Sequence, residues 1–161
     1  MLGVTDGFLH PIIGLDHLLA MIGIGFWLGS QVHRCSFRML GLLLISLILG
    51  AILAVLPSST LWLEPGLASS VLLLGLLIAG RFPRSVGYGL SILAGLLHGY
   101  AHGHEIPATV GALDYGLGFL MATAGLLSLG WFLGSKARHA PIFQRLCGAL
   151  MMAMGVQMLQ S

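Results

Sequence analysis

The stretch "RMLGLLLISLILGAILAVL", residues 38–56, is apolar apart from the arginine at its start and Ser46. A helix needs about 20 residues to cross a hydrocarbon core of about 30 Å, so this stretch predicts a membrane span. The whole chain has the same character. Of its 161 residues, 57% are hydrophobic and 7% are charged, whereas soluble domains carry about 25% charged residues. We therefore expect a membrane protein.

Further apolar stretches lie on both sides of this one, and Pro65 and Gly66 interrupt the stretch at residues 62–80. The predicted spans are 10–30, 38–56, 62–80, 84–102, 108–134 and 142–160. The predicted fold is all-α: one domain, residues 1–161, that forms a polytopic bundle of six transmembrane helices with short loops. The 24 glycines suit such a bundle, because small residues let helices approach closely in lipid. Runs such as Gly87–Gly89 and Gly116–Gly118 predict helix contacts, and the same faces would allow a homo-oligomer.

The basic residues predict the orientation. All seven Lys and Arg residues fall in or beside the first, third and fifth loops: Arg34, Arg38, Arg81, Arg84, Lys136, Arg138 and Arg145. Basic loops favour the cytoplasmic side, so both termini are predicted to be periplasmic in a bacterial inner membrane. No basic residue precedes His10. Either the first helix inserts directly, or an upstream signal has been removed.

The acidic residues and most of the histidines map to the opposite, outer side. The acids are Asp6, Asp16, Glu64, Glu105 and Asp114, and the histidines are His10, His17, His98, His102 and His104. Two further histidines, His33 and His139, lie among the inner arginines, where we interpret them as solvated side chains.

The first polar motif is "HPIIGLDH", residues 10–17. Proline suits the first turn of a helix, so Pro11 predicts that the first helix starts at His10. Seven residues of about 100° each return to nearly the same face, which places His10 and His17 together with Asp16 beside them.

The second motif is "HGYAHGHE", residues 98–105. His98 and His102 are four residues apart, so a helix presents both imidazoles on one face. Glu105 continues that face if the helix persists, although Gly103 and Pro107 indicate fraying. Asp114 is about seven residues into the next predicted helix, and that corresponds to a depth of about 10 Å.

Together these residues predict a divalent cation site: His10, Asp16, His17, His98, His102, Glu105 and Asp114. A charged carboxylate inside a membrane costs about 2.5–3.5 kcal/mol on insertion scales, which favours pairing with a cation. Histidine and carboxylate ligands suit Ni, Co, Zn or Fe. Asp16 or Asp114 could instead orient the imidazoles. Which of His10, His104, Glu105 and Asp114 bind directly is left open, because a single membrane histidine is commonly a packing residue.

The two motifs resemble those of the HupE/UreJ family, membrane proteins associated with hydrogenase and urease maturation and regarded as nickel, sometimes cobalt, permeases. The resemblance rests on "HPIIGLDHLLAM", residues 10–21, and "HGYAHGHE", residues 98–105. It implies metal uptake, and it marks His10, Asp16 and His17 in the first motif and His98, His102 and Glu105 in the second. Ni²⁺ or Co²⁺ would then be the transported substrate, with no organic cofactor.

Other functions fit the sequence less well. No Walker A motif occurs, so an ATP-driven pump is disfavoured. An intramembrane metal-dependent hydrolase is disfavoured because HExxH is absent, and a haem protein using His17 and a histidine of the 84–102 span remains the rival enzyme class. We expect no catalytic residues, and as partners a metal ion and the lipid bilayer but no nucleic acid.

Overall fold

The structure is a computed structural model that describes residues 2–31, 36–56, 60–80 and 82–160. These residues form helices without strands, which confirms the all-α prediction. The helices are α1 (Leu2–Ile13), α2 (Leu15–Ser30), α3 (Ser36–Leu53), α4 (Leu63–Ala79), α5 (Arg84–His104), α6 (Ala112–Ala137) and α7 (Pro141–Gln160). His33, Arg34 and Arg81, which the sequence interpretation used, lie outside the described residues.

The prediction of six spans is not confirmed. Judged by length and hydropathy, α6 and α7 can cross a membrane, and α1 with α2 makes a third span if the bent pair is counted as one. The apolar parts of α3 (Arg38–Leu53) and α4 (Leu63–Ala79) fall short of the usual spanning length. The apolar helices and their arrangement still favour a membrane protein.

The beginning of the chain differs most from the prediction. Pro11 lies inside α1 near its end, rather than at the start of a helix. The helix breaks at Gly14, whose backbone is extended, and α2 leaves at 77° to α1. His10 and His17 therefore belong to different helices and do not share one helical face.

Most helices pack in pairs along glycines. A side chain at Gly25 or Gly29 of α2 would collide with the backbone of α6, and Gly130 and Gly134 of α6 lie equally close to the backbone of α2. The residue order of these contacts makes α2 and α6 parallel. The contacts of Gly95 with Ser46 and of Gly103 with Ala54 likewise make α3 and α5 parallel, and those of Gly75 and Gly148 make α4 and α7 antiparallel; α1 packs across α6.

Two predicted glycine contacts hold in part. Gly87 packs against the indole of Trp27, and Gly118 packs against the backbone of α1, whereas Gly89 and Gly116 have open space where a side chain would be. The packing of α1 and α2 against α6, with the end of α5 beside them, brings their histidines together at one end of the molecule.

Candidate metal centre

The histidines meet where α1 ends, α2 begins and α5 ends. His10 comes from the last turn of α1 and His17 from the first turn of α2. His98 and His102 come from the last two turns of α5. The two motifs are remote from each other in the sequence, so the packing of α1, α2 and α5, and not one helical face, assembles the site.

Two of these histidines and a glutamate form a compact cluster, which we call the outer triad: His10, His102 and Glu105. Nε2 of His10 lies 2.9 Å from Nδ1 of His102 and 2.9 Å from Oε2 of Glu105, and the last two atoms are 2.6 Å apart. The His102 side chain is 6% exposed, compared with 34% for His10 and 48% for Glu105. The triad thus reaches from the protein interior to the surface.

The triad has the composition and nearly the dimensions of a cation site. Its three ligand atoms all lie within 4.8 Å of one another. Ligand atoms around a transition metal bound at about 2.0–2.1 Å are roughly 3–3.5 Å apart, so a small outward movement of the side chains would admit an ion. Nδ1 of His102 has one hydrogen at most and cannot both donate to Glu105 and accept from His10. A bound cation would remove that conflict.

Glu105 provides the negative charge of the triad. Hydrogen bonds from His10 and from His102 lower the pKa of its carboxyl to about 2 and outweigh the opposing effect of partial burial. The carboxylate is therefore ionised at neutral pH and favours a cation beside it.

Below the triad lie the deep histidines, His17, His98 and His102. His17 and His98 are fully buried. The ring centroids are 4.6 Å apart for His17 and His102, 5.4 Å for His17 and His98, and 6.4 Å for His98 and His102. His102 belongs to both groups and links the surface to the interior.

Each deep histidine uses one ring nitrogen and leaves the other without a partner. Nδ1 of His98 donates to the carbonyl oxygen of Ala94 at 2.9 Å, since a carbonyl can only accept. The hydrogen bond between Nδ1 of His102 and the Glu105 carboxylate acts in the same way. In neutral rings, Nε2 of each then has a free lone pair.

The second ring nitrogen of each deep histidine is buried. Within the described ranges, Nδ1 of His17, Nε2 of His98 and Nε2 of His102 have no hydrogen-bond partner. Buried polar atoms are normally satisfied, so each exception calls for an explanation. Metal ligation is one, because ligating histidines usually donate their other N–H to a carbonyl or carboxylate. The three nitrogens do not converge on one point. Among the described residues, the group whose ligand atoms all lie within 4.8 Å of one another is the outer triad.

The remaining predicted residues lie around this cluster rather than in it. Asp16 interacts electrostatically with His98 and lines a cavity of about 510 Å³ together with Glu64. Asp114 lies in the first turn of α6, exposed and beside Gly111. The predicted depth of Asp114 is wrong, because Gly111 has an extended backbone and α6 starts after it, not near residue 108.

His104 and His139 belong to neither histidine cluster, and both are exposed. The ring of His104 packs edge-on against Tyr100 at 4.8 Å, away from the triad. His139 lies in the turn between α6 and α7.

One face of α6 contributes residues that the sequence interpretation missed. Phe119 packs against the rings of His17 and His102 at 4.8 and 4.9 Å, and Tyr115 packs against His10 at 5.8 Å. Thr123 is fully buried, with its hydroxyl 3.1 Å from Nε2 of His17. The spacing of four residues between Tyr115, Phe119 and Thr123 could have indicated a shared face, but nothing in the sequence pointed that face at the histidines.

Comparison with known proteins agrees with the two motifs. The family model described as HupE / UreJ protein matches residues 1–158. Protein HupE of Rhizobium leguminosarum bv. viciae is 31% identical over 161 residues, an alignment that covers 98% of this chain and 84% of that protein. No solved structure matches the chain at a significant level. The chain therefore belongs to the HupE / UreJ protein family.

Proposed function

We propose that this protein is a membrane permease that imports a divalent transition-metal ion, with nickel as the first candidate and cobalt as the second. The metal would supply the maturation of an enzyme such as urease or hydrogenase, which is the role associated with the HupE/UreJ family. Nickel and cobalt enter the proposal through that family association, because histidine and carboxylate ligands suit several divalent metals.

The outer triad is the observation that carries this proposal. A carboxylate and two imidazoles, drawn from α1 and from the end of α5, lie within ligand distance of one another at the surface. Borderline metals such as nickel favour imidazole nitrogen, whereas a hard cation such as Mg²⁺ favours oxygen ligands only. The triad therefore supports a transition metal as the substrate.

The deep histidines support transport rather than storage at the surface. His102 contacts the other two members of the outer triad through Nδ1, and its Nε2 is buried without a partner among the residues described. In our proposal an ion leaves His10 and Glu105 and moves inward to the free nitrogens of His17 and His98. Small rotations of the rings would bring these nitrogens together around the ion.

The charge distribution supports an outward-facing site. The described cations at the opposite end of the bundle include Arg38 and Arg84 at helix starts and Lys136 and Arg138 near the end of α6. Because basic residues favour the cytoplasmic side, we propose a bundle in the inner membrane with both termini and the triad on the periplasmic side. The full set of six spans, with α1 and α2 counted together, belongs to this proposal.

The rival class is an intramembrane haem enzyme. The rings of His17 and His98 are in direct contact, and Phe119 packs against His17. This packing leaves no space for a flat macrocycle between two axial imidazoles, and it disfavours that class. Absence of a Soret band from protein purified after growth with a haem precursor would agree with the permease.

The permease is tested by accumulation of radioactive nickel in cells that lack their own nickel importers. We expect uptake by the wild type and loss of uptake in His98→Ala, which removes a buried nitrogen. His139→Ala is the matched control, because His139 is exposed in a turn at the other end of the bundle. Equal uptake by cells with and without the wild-type protein would refute the proposal.

A further inference from the structure

The hydroxyl of Thr123 is the partner of one ring nitrogen of His17. Oγ1 lies 3.1 Å from Nε2, and both side chains are fully buried. Thr123 is in α6, outside both histidine motifs. The other nitrogen of His17, Nδ1, has no hydrogen-bond partner within the part of the chain that the structure describes.

This hydrogen bond can run in either direction, and the direction determines what Nδ1 can do. If Thr123 donates to Nε2, a neutral ring has its hydrogen on Nδ1, which is then a buried donor without an acceptor. If Nε2 donates to Thr123, Nδ1 has a free lone pair. Only the second form can bind a metal through Nδ1.

The surroundings favour the second direction. Serine hydroxyls on the helices of this chain donate to a backbone carbonyl three or four residues earlier, as Ser91 does to Gly87 and Ser128 does to Ala124. A threonine hydroxyl in a helix can reach such a carbonyl by rotation about its Cα–Cβ bond, and its oxygen then remains free to accept. Among the described residues the hydroxyl of Thr123 is bonded to His17, so the bond to a carbonyl is part of our proposal. His98 shows the matching arrangement, with its Nδ1–H donated to the carbonyl of Ala94.

We propose that Thr123 is a positioning residue that accepts the Nε2–H of His17 and so turns Nδ1 into the first metal ligand below the outer triad. This role rests on the proposed function of the deep histidines. Thr123 acts through the imidazole and does not itself contact the ion.

The test uses two substitutions of similar size. Thr123→Val keeps the volume and removes the acceptor, whereas Thr123→Ser keeps the acceptor. For purified protein in detergent we expect equilibrium nickel binding to weaken about 10–100-fold in Thr123→Val, the range found when the outer partner of a ligating histidine is lost. Thr123→Ser should stay within about threefold of wild type, which a purely volumetric role would not explain. Equal affinity of Thr123→Val and wild type would overturn the proposal.

A second readout needs no metal and no valine variant. Nitrogen chemical shifts of ¹⁵N-labelled histidine distinguish Nε2–H from Nδ1–H, and His17→Gln identifies the signal by its disappearance. We expect metal-free wild type to show His17 in the Nε2–H form. An Nδ1–H form would overturn the assignment even if nickel transport holds. If wild type binds no nickel but His17 shows the Nε2–H form, the permease fails while the assigned direction of the hydrogen bond between His17 and Thr123 stands.

Discussion

Nε2 of His10 lies 2.9 Å from Nδ1 of His102, although 92 residues separate them in the chain. A straight helix through residues 10–17 would place His10 about 10 Å beyond His17 along its axis, too far to reach the same cluster. The 77° bend at Gly14 instead lays α1 across the end of the bundle. The bend thus allows a residue of the first motif to complete a cluster that the second motif begins.

Glu105→Gln should weaken nickel binding at least tenfold. The substitution keeps the size of the side chain and removes the charge that faces His10 and His102, and ligands or their hydrogen-bond partners typically account for tenfold or more in affinity. Isothermal titration of nickel into purified protein measures the change.

Asp114→Asn is the matched control for that experiment, because it removes the same charge from an exposed position in the first turn of α6. Its affinity should remain within about twofold of wild type, since exposed charges contribute little at a distance. If Asp114→Asn weakens binding as much as Glu105→Gln, the negative field of the outer surface, and not the triad, holds the metal.

Gly134→Val should destabilise the bundle. An added side chain at this position meets the backbone carbonyl of Phe26 in α2, so the two helices must separate. Overpacking of this kind typically lowers the free energy of unfolding by about 1–3 kcal/mol. Thermal unfolding in detergent, followed by circular dichroism, measures the loss.

Gly125→Ala on the same helix provides the comparison. Its added methyl group has open space, and alanine is favoured over glycine in a helix by roughly 0.5–1 kcal/mol. We expect unchanged or slightly raised stability. If both variants lose stability equally, the close approach of α2 and α6 does not hold the bundle together.

Single cysteines test the orientation. In a variant without native cysteines, a cysteine at Thr109, exposed between α5 and α6, should react with a membrane-impermeant thiol reagent in intact cells, because the proposed periplasmic side includes that turn. A cysteine at His139, exposed in the turn after α6, should react only after lysis. The opposite pattern would place the triad in the cytoplasm and contradict import from outside.

The sequence predicted the helical class because long apolar stretches such as residues 38–56 leave no other way to satisfy the backbone in lipid. It did not predict the separate α1. Pro11 looked like the start of a helix because residues 2–9 carry few strong local signals. That segment is helical where Gly3 and Gly7 pack against α6, and a contact between remote segments has no local signature.

For the site, too, local spacing was predictable and tertiary contacts were not. His98 and His102 were correctly placed on one face, because a spacing of four has one meaning within a continuous helix. The joining of His10 with His102 and Glu105 depends on the bend at Gly14, and the hydrogen bond between His17 and Thr123 depends on the packing of α2 along α6. Both are tertiary relationships, so motif spacing alone could not reveal them.

Glu105 makes the pH dependence of metal binding informative. Hydrogen bonds from His10 and His102 lower its pKa to about 2. A carboxyl whose pKa is lowered in the folded protein contributes its stabilisation fully above the unfolded value of about 4.3 and loses it as the pH falls toward the folded value. Between pH 5 and 8 its charge is therefore constant, and it cannot cause a change in affinity over that range.

Nickel affinity should fall as the pH is lowered from 8 to 5, because protons and metal compete for the same imidazole nitrogens and free histidine titrates near 6.5. If His10 and His102 of the outer triad both bind the ion, the loss should exceed tenfold, about one factor of ten for each pH unit and each nitrogen below its pKa. Equilibrium binding to purified protein measures this without interference from the proton gradient. Affinity that is unchanged between pH 5 and 8 would exclude proton competition at His10 and His102, and would leave oxygen ligands or fully buried rings, in which burial disfavours the charged form, to bind the metal.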